Sequence, residues 1–214
     1  ILVTSFLLIA SAFAWNARAG DFLGFRLIDL DGSHPAWKSK NGDRVVVTYA
    51  FVQDRVEFED ARNCRAMVPF DALLKASRIE METLRQEARE AFEMWERVAD
   101  IDFQEVEDPS KAGILIGAQE KPLGYAYADV KQKTGVDDAG EIERSLICLN
   151  PAKRWKVGYD GNLAIYDLRH TIAHEIGHAI GLDHPDDFRQ MMSLRYHERD
   201  RSLQVGDVNG AISL

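Results

Sequence analysis

Residues 174–184 read HEIGHAIGLDH, and they constrain the fold more than any other part of the chain. At 100° per residue, His174 and His178 stand about 40° apart on one helix face, so both imidazoles can meet a single ion. Ile172, Ile176, Ala179 and Ile180 fall on the opposite side, which makes that side the core face. Glu175 is turned about 100° from His174 and flanks the metal position without having to ligate it. Asp167 can cap the helix start through its carboxylate. Gly181 then ends the helix, since glycine takes the backbone conformation of a sharp reversal, and the reversal returns His184 as a third nitrogen ligand.

Three protein nitrogens leave the fourth position of a tetrahedral zinc ion open to water, the arrangement of catalytic rather than structural zinc. Zinc lowers the pKa of that water towards neutrality, and Glu175 can take its proton and hand it to a leaving amine. The ion also polarises a scissile carbonyl. HExxH alone arises by chance. With Gly181 and His184 added, the five fixed identities should arise by accident in on the order of one chain in 10⁵.

The remaining sequence narrows the setting. A chain of 214 residues with 46% hydrophobic and 29% charged residues suits one globular domain with a short extension. The 26 Lys and Arg against 35 Asp and Glu give a net charge of −9, which excludes the basic footprint of a nucleic-acid binder. Leu2 to Ala14 is an apolar run, followed by Ala17-Arg18-Ala19 and Gly20. It reads as a secretory signal peptide over residues 1–19, with Ala12-Phe13-Ala14 as an earlier cleavage site. An apolar N-terminal strand is the alternative, and the opening Ile1 and the lack of Lys or Arg before Arg18 depart from the signal pattern. The run is shorter than the roughly 20 apolar residues of a membrane helix, so a secreted or periplasmic mature chain with no membrane span is expected. In an exported protein the two cysteines, Cys64 and Cys148, favour one disulfide, with two buried free thiols as the alternative.

Residues 20–43 read as an N-terminal arm and 44–214 as the main domain. The β-branched run Arg44 to Val52 predicts a buried strand, and shorter strands are expected at Gly113–Ala118, Gly124–Val130 and Ser145–Leu149. Asp71 to Asp100 reads as helix, with Leu84, Ala88, Ala91, Phe92, Trp95 and Val98 on its core face and its Glu/Arg run solvated. Asp129, Asp137, Asp138, Glu141 and Glu143 could hold Ca²⁺, but their spacing matches no EF-hand and a solvated acidic loop is the favoured reading. Strand, helix, several strands and helix in that order predict an α+β fold, an α/β sandwich in layers.

HExxHxxGxxH followed by Met191-Met192-Ser193 resembles the signature of the metzincin zinc peptidases, and within that clan a compact bacterial matrixin or serralysin-like domain. The likeness extends over about residues 44–214, through AFEMWERVADIDFQEV, GILIGAQ and LQVGDVNGAISL. It implies a twisted mixed sheet, a long backing helix, an active-site helix and a C-terminal helix. It also implies a single catalytic Zn²⁺ on His174, His178 and His184, Glu175 as the base, and Met192 in a Met-turn beneath the metal. The implied partner is a polypeptide substrate lying as an added strand against Pro122–Val130, with Ser193 to Glu198 walling the pocket after the cleaved bond. A monomeric secreted endopeptidase is therefore expected; a metzincin-fold binding module whose catalysis has lapsed is the alternative.

Several positions depart from the clan's patterns. Pro185 follows the third histidine as in serralysins, while Leu194 stands where serralysin-like enzymes carry a tyrosine ligand, leaving Tyr196 as a weak substitute. No cysteine-switch motif is present, and no histidine between His34 and His170 could hold the second zinc of animal matrixins. His170 reads as a helix-surface residue or one supporting a ligand, and Glu198 and Arg199 as solvated.

Overall fold

A computed structural model describes residues 24–39, 42–135 and 140–214. The expected signal peptide, Asp137 and Asp138 lie outside the described residues.

Alternating buried side chains and β-branched backbone place Val45–Phe51 (β2) inside a seven-stranded mixed sheet. Its parallel neighbours are Ile101–Glu105 (β5) on one side and Ile114–Gln119 (β6) on the other. Beyond β6 lie Ile142–Leu149 (β8), parallel to it, and Ala126–Gln132 (β7), antiparallel to β8 at the edge of the sheet. Two short strands, Val56–Glu57 (β3) and Ala66–Val68 (β4), extend the sheet past the end of β2. Small pairs complete the strands: Arg26–Leu27 (β1) with Leu182–Asp183 (β11), and Trp155–Lys156 (β9) with Tyr166–Asp167 (β10).

Among the described residues four α-helices accompany the sheet: Asp71–Ser77 (α1), Met81–Glu96 (α2), Leu168–Ile180 (α3) and Val205–Ile212 (α4). The main core lies between the sheet and α2 and α3, where Phe92 stacks on Tyr49 at 4.0 Å and the Trp95 indole N–H donates to the Ala173 carbonyl at 2.8 Å. A smaller cluster of Ala50, Val52, Met67, Leu115 and Leu146 covers the other face of the sheet. At its centre Cys64 and Cys148 form the expected disulfide. These layers make the α+β fold expected of the sequence.

The 71–100 stretch is two helices and a turn rather than one helix. Arg78 adopts a left-handed conformation (φ 57°) after α1, and the Ile79 N–H returns to the Leu74 carbonyl at 3.1 Å, the hydrogen bonding of a helix stop. The second helix ends at Glu96, and Ile101 and Phe103 alternate into the core as β5, a strand that helical periodicity had concealed. Nor is the Glu/Arg run wholly solvated. The Glu87 side chain, 6% exposed, is gripped by Arg169 (both contacts 2.9 Å) and Arg201 (2.8 Å).

Residues 24–39 run along the main domain. The Ile28 N–H bonds to the Gly181 carbonyl at 2.8 Å, the Trp37 indole N–H to the Ala179 carbonyl at 3.0 Å, and Ala36 bridges to Glu141. This strap therefore braces the end of α3.

Candidate active site

Asp167 begins α3 by accepting the His170 N–H at 2.9 Å, and Gly181 ends it at φ +123°. A β-carbon at Gly181 would stand 2.3 Å from the Pro35 carbonyl oxygen, so both backbone conformation and space require glycine. The chain then reverses through β11 and brings His184 beside His174 and His178. The three Nε2 atoms form a triangle with sides of 3.1, 3.2 and 3.2 Å. A tetrahedral zinc ion with bonds of 2.0–2.1 Å would spread its ligands about 3.3–3.4 Å apart, so the triangle fits that ion.

The other ring nitrogens explain why Nε2 is left for a metal. His174 Nδ1 donates to the Met191 carbonyl at 2.8 Å and His178 Nδ1 to the Leu182 carbonyl at 2.7 Å, leaving lone pairs on the converging nitrogens. Burial, reinforced by the neighbouring rings, holds His174 well below the ordinary histidine pKa and lowers His178 to about 4. Burial lowers His184 as well. Neutral imidazoles pointing lone pairs at one another are the donor set of a cation site, and this is the one such cluster among the described residues.

Glu175 is buried beside the cluster, and burial, with the Asp129 charge adding, pushes its carboxyl up to about 8. Met192 packs under α3, while Met191 supplies the carbonyl that orients His174. The two methionine N–H groups donate to Asp207 at 2.8 and 3.0 Å, and Gln190 Oε1 accepts from Gly206 and Asp207 at the start of α4. Asp207 and Gln190 escaped the sequence reading. The Gln204-x-x-Asp207 spacing at a helix start is the one signal that points to Asp207, whose N–H-accepting role reaches back to the turn as well.

A cleft of about 690 Å³ runs between β7 and α3 and contains all three imidazoles and Glu175. At one end three rings stack, Tyr125 on Tyr166 at 3.8 Å and Tyr166 on Tyr196 at 4.2 Å. The Tyr196 hydroxyl accepts from the Asp167 N–H (3.0 Å) and donates to Glu198 (2.7 Å), so it serves that wall and not the imidazole cluster. Glu198 is not solvated: its side chain is 5% exposed, paired with Lys156 and accepting from the Gly161 N–H at 2.6 Å. Two backbone donors and the Tyr196 hydroxyl repay its burial. His170 is buried as well, with Nδ1 against the Tyr159 hydroxyl at 2.7 Å, and burial lowers it to about 3.

The described members of the acidic cluster are engaged separately. Asp129 accepts from the Asn63 and Cys64 N–H groups, both at 2.7 Å, Glu143 pairs with Lys131, and Glu141 with Lys133.

Among the described residues no strand pairs with the outer edge of β7. The Asn150 N–H to Tyr125 C=O bond (2.7 Å) fixes the alternation, turning the backbone groups of Tyr127, Asp129 and Lys131 towards β8. Those of Ala126, Ala128 and Val130 face the cleft side of the strand.

The matrixin family profile matches residues 64–214. Similar curated proteins include Metalloendoproteinase 1-MMP of Arabidopsis thaliana, 30% identical over 131 residues, covering 59% of this chain and 36% of that one. Metalloendoproteinase 4-MMP of the same plant is 31% identical over 140 residues, with 61% and 40% covered. Serralysin of Photorhabdus laumondii subsp. laumondii is 30% identical over 111 residues, with 50% and 21% covered. The chain thus spans 36%, 40% and 21% of the lengths of these relatives.

Proposed function

Because the chain belongs to the matrixin family of peptidases, we propose that it is an exported zinc endopeptidase, with His174, His178 and His184 holding one ion and Glu175 acting as general base. The observation that carries this reading is the triangle of Nε2 atoms, 3.1–3.2 Å on a side, with Glu175 buried against it. A zinc ion held there supplies Lewis acidity, polarising a carbonyl and making water easier to deprotonate.

The chain's own residues do the rest. An extended peptide pairs with the Ala126, Ala128 and Val130 backbone groups along the open edge of β7. That pairing sets one carbonyl carbon over Glu175. As a water oxygen bonds to that carbon, Glu175 takes the water's proton, then releases it to the amide nitrogen as the C–N bond breaks. The tyrosine-walled end of the cleft receives the side chain just after the cleaved bond and favours an apolar or aromatic one. Met192 supports the floor of the site. All these groups come from one chain, so one chain carries a complete site and can work as a monomer. Export is supported by the Cys64–Cys148 disulfide together with the apolar run at Leu2 to Ala14.

The test is cleavage of a quenched mixed-sequence peptide library by wild type and Glu175→Ala, each with chelator and zinc add-back. Chelator-sensitive, zinc-restored cleavage in wild type alone is expected. Zinc bound at one per chain with no cleavage by wild type would overturn the peptidase reading.

A further inference from the structure

The end of the cleft opposite the tyrosine stack is built by the 58–65 connection between β3 and β4. This loop lies on the disulfide face of the sheet and is fastened at several points. Cys64 is bonded to Cys148, and Asp129 of β7 accepts from the N–H groups of Asn63 and Cys64 and from the Asn63 side-chain amide (3.0 Å). Asp60 is paired with Lys131 at 3.0 Å and with Arg144 at 3.0 and 3.2 Å. Arg62 sits between these anchors, exposed, and lines the same cleft as His174 and Glu175.

We propose that Arg62 is a specificity-determining residue that selects an acidic substrate side chain on the amino-terminal side of the cleaved bond. The inference rests on the peptidase reading and deepens it. Three cations line this end of the cleft, and two are committed. Lys131 is shared between Asp60 and Glu143, and Arg144 pairs with Asp60 while lying over the Phe58 ring at 4.6 Å. The local carboxylates are committed too, Asp60 to those cations and Asp129 to amide donors. Arg62 has no carboxylate partner among the described residues and is left as the uncompensated charge.

Strand geometry says which substrate side chains reach it. Paired residues in a sheet share a face, and successive residues alternate between faces. Tyr127, Asp129 and Lys131 project to the disulfide face, where the loop lies, while Ala126 and Ala128 pack with the helices. A peptide added to the β7 edge therefore turns every second side chain towards Arg62. The tyrosine stack lies at the amino-terminal end of β7, where the residue after the cleaved bond sits. A peptide running antiparallel to β7 then places its residues before that bond beside Asp129–Lys131 and the loop. Because the loop is tethered on both sides of Arg62, only its side chain and not its backbone must be ordered to meet a carboxylate.

The test uses a neutral peptide cleaved by the wild-type protein, with Glu, Gln or Lys placed in turn at each of the four positions before the cleaved bond. At one position Glu should exceed Lys in kcat/KM by about two- to fivefold, through KM, as for a partly solvated ion pair. The gap should shrink as salt is raised. Arg62→Ala should close it and Arg62→Glu should invert it, with the neutral peptide cleaved as before by both. No charge preference in wild type, or one that survives Arg62→Glu, would overturn the subsite alone. A neutral reference that no library peptide can supply would instead remove the peptidase reading, and the subsite with it.

Discussion

Gly177 and Met192 touch with no room for a side chain between them: a β-carbon at Gly177 would stand 2.2 Å from Met192 Sδ and 2.9 Å from Trp95 Cζ2. A glycine inside a helix costs about 1 kcal/mol relative to alanine, so its place in α3 calls for such a contact. Gly177→Ala should therefore destabilise the protein despite its better helix propensity, by about 1–3 kcal/mol of overpacking. At about 2–4 °C per kcal/mol for a domain of this size, the loss is readable in a thermal melt. Zinc affinity in a competition titration should fall as well, because the displaced turn carries the Met191 carbonyl that orients His174. An unchanged melting temperature would mean that Met192 swings aside at no cost.

Glu175 and His178 should separate catalysis from metal binding. On the proposed roles Glu175→Ala removes the base and no ligand, so zinc content should stay at one per chain while kcat falls by about 10²–10⁴. His178→Ala removes one of three nitrogens and should lose zinc and activity together. Zinc analysis beside peptide kinetics on both variants checks this. A zinc-replete, active His178→Ala protein would refute the ligand set.

How much of this was legible in the sequence depends on how local the determining interaction is. Helix period alone aligns His174 and His178, and Asp167 and Gly181 bound the helix through contacts a few residues away. Two fixed termini and a four-residue ligand spacing leave few alternatives. The strand at Ile101–Glu105 was hidden because its apolar positions continue the helical pattern of Phe92 and Trp95, and pairing with β2 decides its conformation. Glu87 and Glu198 read as solvated because each is a charged residue within a charge-rich stretch. Their burial depends on Arg169, Arg201 and Lys156, which lie 82, 114 and 42 residues away and which no local pattern connects to them. Asp207 is the same case at a shorter range. Its partners Met191 and Met192 offer backbone N–H groups, and backbone donors leave no mark in a sequence.

The Cys64–Cys148 disulfide closes a loop with a sequence separation of 84. In the chain-entropy model such a closure stabilises by about 4–5 kcal/mol, and removing native disulfides typically costs about 2–5 kcal/mol. Cys64→Ala/Cys148→Ala should accordingly melt at least about 5 °C lower than wild type. Thiol titration of the denatured, unreduced wild type should find no free thiol. A pair of titratable thiols there would show that the bridge does not form.

Glu87 gives the fold a defined acid sensitivity. Burial alone would raise its carboxyl, but the hydrogen bonds and charges of Arg169 and Arg201 outweigh it and hold the group below its usual value. A carboxylate lowered in the folded state contributes stability at pH above its unfolded pKa, near 4.3, and loses that contribution as pH falls through the folded value. Comparing wild type with Glu87→Gln by denaturant unfolding should then show a wild-type advantage at pH 6–7 that shrinks progressively below about pH 4.3. Glu87→Ala should cost about 1–3 kcal/mol at neutral pH, since it removes the shared partner of two partly buried guanidinium groups while Arg169 keeps Glu90 and Arg201 keeps Asp167. One of them, Arg201, also holds both carboxylate oxygens of Asp167, the residue that starts α3, the helix that carries His174 and His178. The loss should therefore reach the metal centre: zinc dissociation should become faster in Glu87→Ala, with Glu87→Gln between it and wild type. A pH-independent gap between wild type and Glu87→Gln would show that packing around Glu87, and not its charge, ties α2 to the start of α3.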